Sequence, residues 1–528
     1  MENYDPTDIK VNDAFRAQYF LSAIEKEMEK IEIAVSDFSI FSGPLSEILK
    51  EFSEILAKEL DQLFLPTIAF EIDNAKQKGD LFGNSPSARY ESFFVDGEKY
   101  TKFAQAILDK YPFLMELSDG LVRRIFDALL ISIKRFKENE TELKKWLQLH
   151  AAIRIRQIIP LNGADRHCSQ QTLLFVFSNG LKVIYKPVDL RPDLLFSLFL
   201  RKLELTEPFD LKELNVLSFK EYGWIKFIEK NECLNVQEIE NFYRRAGVLL
   251  AVADSLNYTD GHCENLIADG AFPILLDGET LFQNYEQSII NEKNILTTLL
   301  VQKINNPEDD RFLNSAFQAP DGVKFEYLQT HAIHDHTDEI QVRYQGINPS
   351  SHHHCPWLNK KPCPSYEYVH FIIEGYCFAY RKITEKIQDI LNDEDWWKAL
   401  SKVKSRVILR ETISYAYLIR KIQLPEQLSS RKEAESILFE KLGIHPYSQY
   451  EVDDLLLLNI PYFYHLPGER NLYDADGNKY PNTFTETGIT SLKKQLLLRS
   501  EEKMQFDCEI LSRHLVPLFI DESDMIPV

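Results

Sequence analysis

No stretch of this chain approaches the ~20 consecutive apolar residues that a membrane-spanning helix needs. Its first residues, MENYDPTDIKVND, lack both the basic start and the apolar run of a secretion signal. A cytoplasmic location is expected. Positive charge is also in short supply: 60 Lys and Arg against 81 Asp and Glu leave a formal net charge of −21. Such a surface repels phosphate backbones and anionic lipid, so nucleic acid is not expected as a partner. There is no CxxC pair. The seven cysteines, at 168, 233, 263, 355, 363, 377 and 508, are odd in number and unpatterned, which reads as reduced thiols. The absence of GxxxxGK[ST] removes a P-loop NTPase. The absence of GxGxxG removes a dinucleotide fingerprint and the glycine loop of ordinary protein kinases. Internal repeats and low-complexity tracts are missing too.

What is present is a chain of 528 residues, long enough at about 150 residues per domain for roughly three units with a large buried core. Residues 1–150 read as a helical N-terminal region. Leu45, Ile48, Leu49, Phe52, Ile55, Leu56 and Leu60 follow a helical period, and so do Leu121, Ile125, Leu129, Ile133 and Phe136. Between them residues 77–95 carry Gly, Asn, Ser and Pro and read as a loop. The runs TLLFVF (172–177) and LKVIYK (181–186), joined by Asn179-Gly180, predict a hairpin, and residues 215–229 predict another strand pair. Helix resumes at Val236. Strands first and helices after is the layout of a two-lobed kinase, with an N-lobe over about 151–232 and the C-lobe starting over about 236–300. Residues 301–528 read as an irregular insertion (300–360), long helices (365–440) and a mixed end (446–528).

The chemistry concentrates in Tyr258-Thr259-Asp260-Gly261-His262-Cys263-Glu264-Asn265, followed by the apolar run Pro273-Ile274-Leu275-Leu276 and then Asp277-Gly278-Glu279. Phosphoryl transfer needs an acceptor for the proton of the attacking hydroxyl and oxygen ligands that hold magnesium across the phosphates. An Asp with an Asn five residues on, and a second Asp closing an apolar strand, is the arrangement kinases use. The competing reading is a helix-capping loop beside an ordinary strand. Lys186 ends the second hairpin strand, where a kinase places its phosphate-binding lysine. A strand lysine alone is most often a solvated edge residue, and only its position before the Asp, Asn and Asp gives it weight. His352, His353, His354 and Cys355, with Cys363 nearby, could supply soft metal ligands. Adjacent histidines rarely all face one ion, and the cluster is read as incidental.

These residues resemble a known family. DxH (Asp165, His167), a hairpin ending YKP, YGW (Tyr222–Trp224), FYRRAG, TDxHxEN, DxE, RxxLRxT (Arg406–Thr412) and NIPYF (Asn459–Phe463) are similar to class II lanthipeptide synthetases, the LanM type. The resemblance implies an α+β fold: a lipid-kinase-like bilobal core with large helical extensions before and after it. It implies an ATP- and Mg2+-dependent enzyme that phosphorylates Ser and Thr of a ribosomally made precursor peptide (leader plus core). That enzyme then eliminates the phosphate to leave dehydroalanine or dehydrobutyrine. By the same resemblance Lys186 contacts ATP, and Asp260, His262 and Asn265 form the catalytic loop. Asp277 and Glu279 serve metal and phosphoryl transfer, with Asn265 and Asp277 as metal ligands. Asp165, His167, Arg406 and Thr412 serve elimination.

Two departures from the family stand out. Ala164 and Gln170 replace glycines usual around the DxH, which bears on the efficiency of elimination. The family's C-terminal zinc cyclase has no counterpart in the sequence, so a free-standing dehydratase is expected, with a separate cyclase as a second partner. The alternatives are a kinase that stops at the phosphopeptide and a scaffold that only presents the peptide.

Overall fold

A computed structural model describes residues 12–96, 99–100, 107, 109–151, 153–161, 170–284, 294–303, 314–318, 325–347 and 353–515. Asp165, His167, Ala164 and His352 lie outside the described residues. The α+β expectation holds: helices alternate with small antiparallel sheets. The chain divides into two compact units that interleave along the sequence. The first holds residues 1–187, 326–347 and 410–461, and the second holds 188–325, 348–409 and 462–528.

In the first unit the long helix Lys50–Lys78 buries Phe52, Leu56, Leu60, Phe64, Ile68 and Ile72. It stops at Gly79, whose φ of +73° suits glycine, with Asp80 N donating to Ala75 O at 2.9 Å. Helix Pro112–Glu138 opens on a proline, which is preset for the first turn, and buries Leu117, Leu121, Ile125, Leu129, Ile133 and Phe136. Phe136 stacks on Phe175 with ring centres 5.8 Å apart. It thereby fixes the helix to the antiparallel strands Ile155–Pro160, Leu173–Phe177 and Lys182–Lys186. The Asn179-Gly180 turn between the last two forms as the sequence predicts, with Gly180 at φ +83° and Leu181 N donating to Asn179 Oδ1 at 3.1 Å.

Several segments depart from the sequence reading. The Gly/Asn/Ser/Pro stretch contains helix Pro86–Phe94, because Ser85 caps it by accepting from Ala88 N at 3.1 Å and Tyr90, Phe93 and Phe94 are buried. The residues that looked like a loop are the helix's start signal. The segment read as irregular also contains paired strands, Phe325–Ile333 and Gln341–Ile347.

The second unit is built on helix Val236–Ser255. Asn235 caps it by accepting from Glu238 N at 3.0 Å, and it is buried along nearly its whole length from Phe242. It crosses helix Val369–Glu385 at two glycines. A Cβ on Gly247 would sit 1.9 Å from Ile372 O, and one on Gly375 would sit 1.8 Å from Arg244 O, so the backbones touch. The hairpin Leu266–Asp269/Phe272–Leu275 follows that helix. A four-stranded antiparallel sheet adds Ser405–Val407, Phe463–His465, Leu472–Asp474 and Lys479–Tyr480, in that order. It places strands where the sequence suggested only helices and loops, since two- and three-residue strands leave no period to read.

Candidate functional site

Two residues separate the end of helix Val236–Ser255 from Tyr258, and the backbone then makes a tight reversal. Asp260 adopts φ +72°, an unusual conformation for a residue with a Cβ. Gly261 passes so close to the next segment that a Cβ would meet Thr298 O at 2.5 Å. This turn is locked from inside: Asn265 Nδ2 donates to Asp260 O at 2.8 Å, and His262 N donates to the same oxygen at 2.8 Å. His262 Nε2 lies 3.1 Å from Asn265 Nδ2 and 3.8 Å from Asp260 Oδ1. The structure thus brings together Asp260, His262 and Asn265, three of the residues picked from the sequence.

Asp277 and Glu279 are laid against that turn by a ladder of bonds. Leu276 N donates to Asn265 O at 2.9 Å, Phe282 N to Leu256 O at 2.7 Å, and Gln283 N to Asn257 O at 3.1 Å. Thr280 Oγ1 donates to Thr259 O. Asp277 Oδ1 accepts from Glu279 N at 3.1 Å, which sets the rotamer of the carboxylate. Gly278 gives room here: a Cβ would lie 2.7 Å from Asp193 Oδ1, so that carboxylate would have to shift. Tyr258 sits behind the site, fully buried. Burial first, and then the charges of Asp260, Asp277, Asp193 and Glu279, push its phenol well above the ordinary value. It therefore stays neutral beneath this group of acids.

Arg406 joins from the edge strand Ser405–Val407. Its Nη1 donates to Glu279 Oε1 at 2.5 Å and its backbone N donates to Glu279 O at 2.7 Å. The guanidinium also lies 5.7 Å from the centre of the Tyr462 ring. Gln283, almost fully buried, donates through Nε2 to Arg406 O, and Ser405 Oγ donates to Leu281 O at 2.6 Å. Sequence reasoning missed Gln283, Ser405 and Asn257. Their partners lie far along the chain or on the backbone, and the only signal was that GETLFQN directly follows Asp277. Lys186 and Thr412 belong to the first unit. Lys186 closes its strand, half-buried, and Thr412 opens helix Thr412–Ile422. The start of that helix is anchored by Arg410, which reaches the buried Glu451 at 2.9 Å and Leu442 O at 2.8 Å.

A helix-end turn carrying a carboxylate and an amide, zipped to a strand-end carboxylate, defines a site of oxygen donors. Among the described residues no group of three or more His, Cys, Asp or Glu side chains gathers into a metal cage. The sequence matches a family described as "Domain of unknown function (DUF4135)" over residues 111–465, and the chain belongs to that family. It is also similar to the lacticin 481/lactococcin biosynthesis protein LcnDR2 of Lactococcus lactis subsp. lactis. The two are 27% identical over 436 residues, which cover 74% of this chain and 45% of that protein. The chain thus spans about half the length of the relative. Both findings bear out the resemblance to LanM-type lanthipeptide synthetases read from the motifs.

Proposed function

We propose that the chain is a lanthipeptide dehydratase. It phosphorylates Ser and Thr of a precursor peptide with ATP and then eliminates the phosphate to give dehydroalanine or dehydrobutyrine. The observation that carries this reading is the ladder that holds Asp260 and Asn265 against Asp277 and Glu279, with Arg406 bonded to Glu279. The lipid-kinase-like bilobal layout belongs to the same proposal, as does Lys186 as the phosphate-binding lysine.

Asp260 accepts the proton of the attacking Ser or Thr hydroxyl as the hydroxyl oxygen bonds to the γ-phosphorus, and the bond from that phosphorus to the bridging oxygen breaks to release ADP. Asn265 and Asp277 fit magnesium, because both offer oxygen. The amide nitrogen of Asn265 is committed to Asp260 O, which leaves its oxygen as the end presented. Magnesium, when bound, supplies charge neutralisation for the phosphates. In elimination a base, the role proposed for Asp165 or His167, takes the Cα proton, the Cα–Cβ double bond forms, and the Cβ–O bond breaks to release phosphate. A guanidinium fork suits that leaving group.

Mass spectrometry of the precursor peptide tests both steps. Asp277→Asn should fold and leave the peptide unchanged; normal turnover would remove Asp277 from the site. Asp260→Ala should slow phosphorylation by about 10²–10⁴-fold. Arg406→Lys should accumulate phosphopeptide where the wild type yields peptide lighter by one water. Lysine is the better substitution, since alanine would strip the buried Glu279 of its partner. Wild-type protein that releases only stable phosphopeptide would leave the kinase and remove the elimination.

A further inference from the structure

Helix Glu501–His514 lies against helix Val369–Glu385 in the second unit. Arg381 meets Glu501 at 2.7 Å and Tyr376 meets Asp507 at 2.8 Å, so the two helices run antiparallel. Beside the Tyr376–Asp507 contact, Cys377 and Cys508 bring their sulfurs to 3.3 Å, and both are free thiols. Neither takes part in the phosphoryl-transfer site. Both are half-buried, so a small reagent has access to them while the helices hold them in register.

We propose that Cys377 and Cys508 form a site for reversible disulfide formation, with a low-molecular-weight disulfide as the oxidant. One cysteine, as thiolate, attacks a sulfur of the reagent and expels a thiolate of the reagent. The second cysteine then attacks the mixed disulfide and expels the other. One S–S bond breaks and one forms, and two electrons pass from the pair to the reagent. The two protons lost by the cysteines end on the two small thiols. The bond would join residues 131 positions apart, stapling the helix that carries Gly375 to the helix Glu501–His514. Burial, followed by the hydrogen bond to Cys377, pushes the Cys508 thiol up to about 12. The exchange is therefore slow near neutrality and speeds up as pH rises.

The full chain is incubated with oxidised glutathione at pH 8, quenched with acid, alkylated in denaturant and digested without reduction. The expected product is a peptide pair linked through Cys377 and Cys508 that dithiothreitol releases. Closing so long a loop constrains the unfolded chain, so the oxidised protein should melt on the order of 5 °C higher. Cys377→Ser and Cys508→Ser should each lose both the link and the shift, whereas Cys363→Ser should keep both. Recovery of both cysteines as alkylated thiols, while Cys355 or Cys363 carries glutathione, would overturn the site. A link that forms without raising the melting point would overturn the staple.

Discussion

Gln283 shows how a single buried side chain can tie together segments far apart in the chain. Its amide donates to the carbonyl of Arg406 while its own backbone is paired with Asn257. Gln283→Ala should cost about 1–3 kcal/mol, the price of a buried carbonyl left unpaired. Under the proposed function it should also let phosphopeptide build up relative to dehydrated product, because Arg406 loses its tether; an unchanged product ratio would confine Gln283 to stability. His465 offers a test by pH. Burial holds its imidazole down at about 4 against 6.5 in an unfolded chain, with the backbone of Phe282 offsetting part of this. The unfolded chain therefore takes up a proton that the folded chain refuses. The stability contributed by the neutral ring is complete above pH 6.5 and is lost as pH falls toward 4, to a total of about 3 kcal/mol. His465→Phe should flatten the melting-temperature profile over that window, and a profile as steep as wild type would place the acid sensitivity elsewhere. The grouping of Asp260 and Asn265 with the strand end at Asp277 was legible from their types and spacing. Gln283 and Ser405 were not, because their roles arise only where the chain returns more than a hundred residues later.

Among elements, the crossing of helices Val236–Ser255 and Val369–Glu385 makes the sharpest prediction. Alanine for glycine inside a helix ordinarily stabilises by about 0.5–1 kcal/mol. At Gly247 the added methyl would meet the carbonyl of Ile372, a backbone atom that cannot rotate away. Gly247→Ala should therefore destabilise by about 3 kcal/mol or more, read from the urea midpoint. A gain would mean that the helices can separate freely. The apolar stripe of the first helix was legible by its period, and the Leu173–Phe177/Lys182–Lys186 hairpin by its Asn-Gly turn. The crossing was not, since a glycine in a helix reads only as a weak position. Helix Pro86–Phe94 was missed for the opposite reason: Ser85 and Pro86 serve equally as turn residues and as the first residues of a helix.

At the scale of the molecule, the two units take turns along the chain. Residues 151–300 contain Asp260, Asn265 and Asp277, yet the helix that covers Gly247 and the strand that brings Arg406 come later. A 151–300 fragment should show no cooperative thermal transition and should bind an apolar dye. A sharp transition would contradict the account of the core given above. Alternation of helix and strand patterns along the chain can be read residue by residue. Which patterns share a core depends on contacts between distant segments, and no local spacing encodes that.

The glycine-to-glycine crossing also has a consequence in time. A ribosome adds roughly 5–20 residues per second. More than a hundred residues separate the end of helix Val236–Ser255 from the start of its partner at Val369. For roughly 5–25 seconds of every synthesis the most buried helix of the second unit is outside the tunnel with its sticky face uncovered. During that interval the apolar face that Val369–Glu385 will cover is open to any binder of unfolded chains.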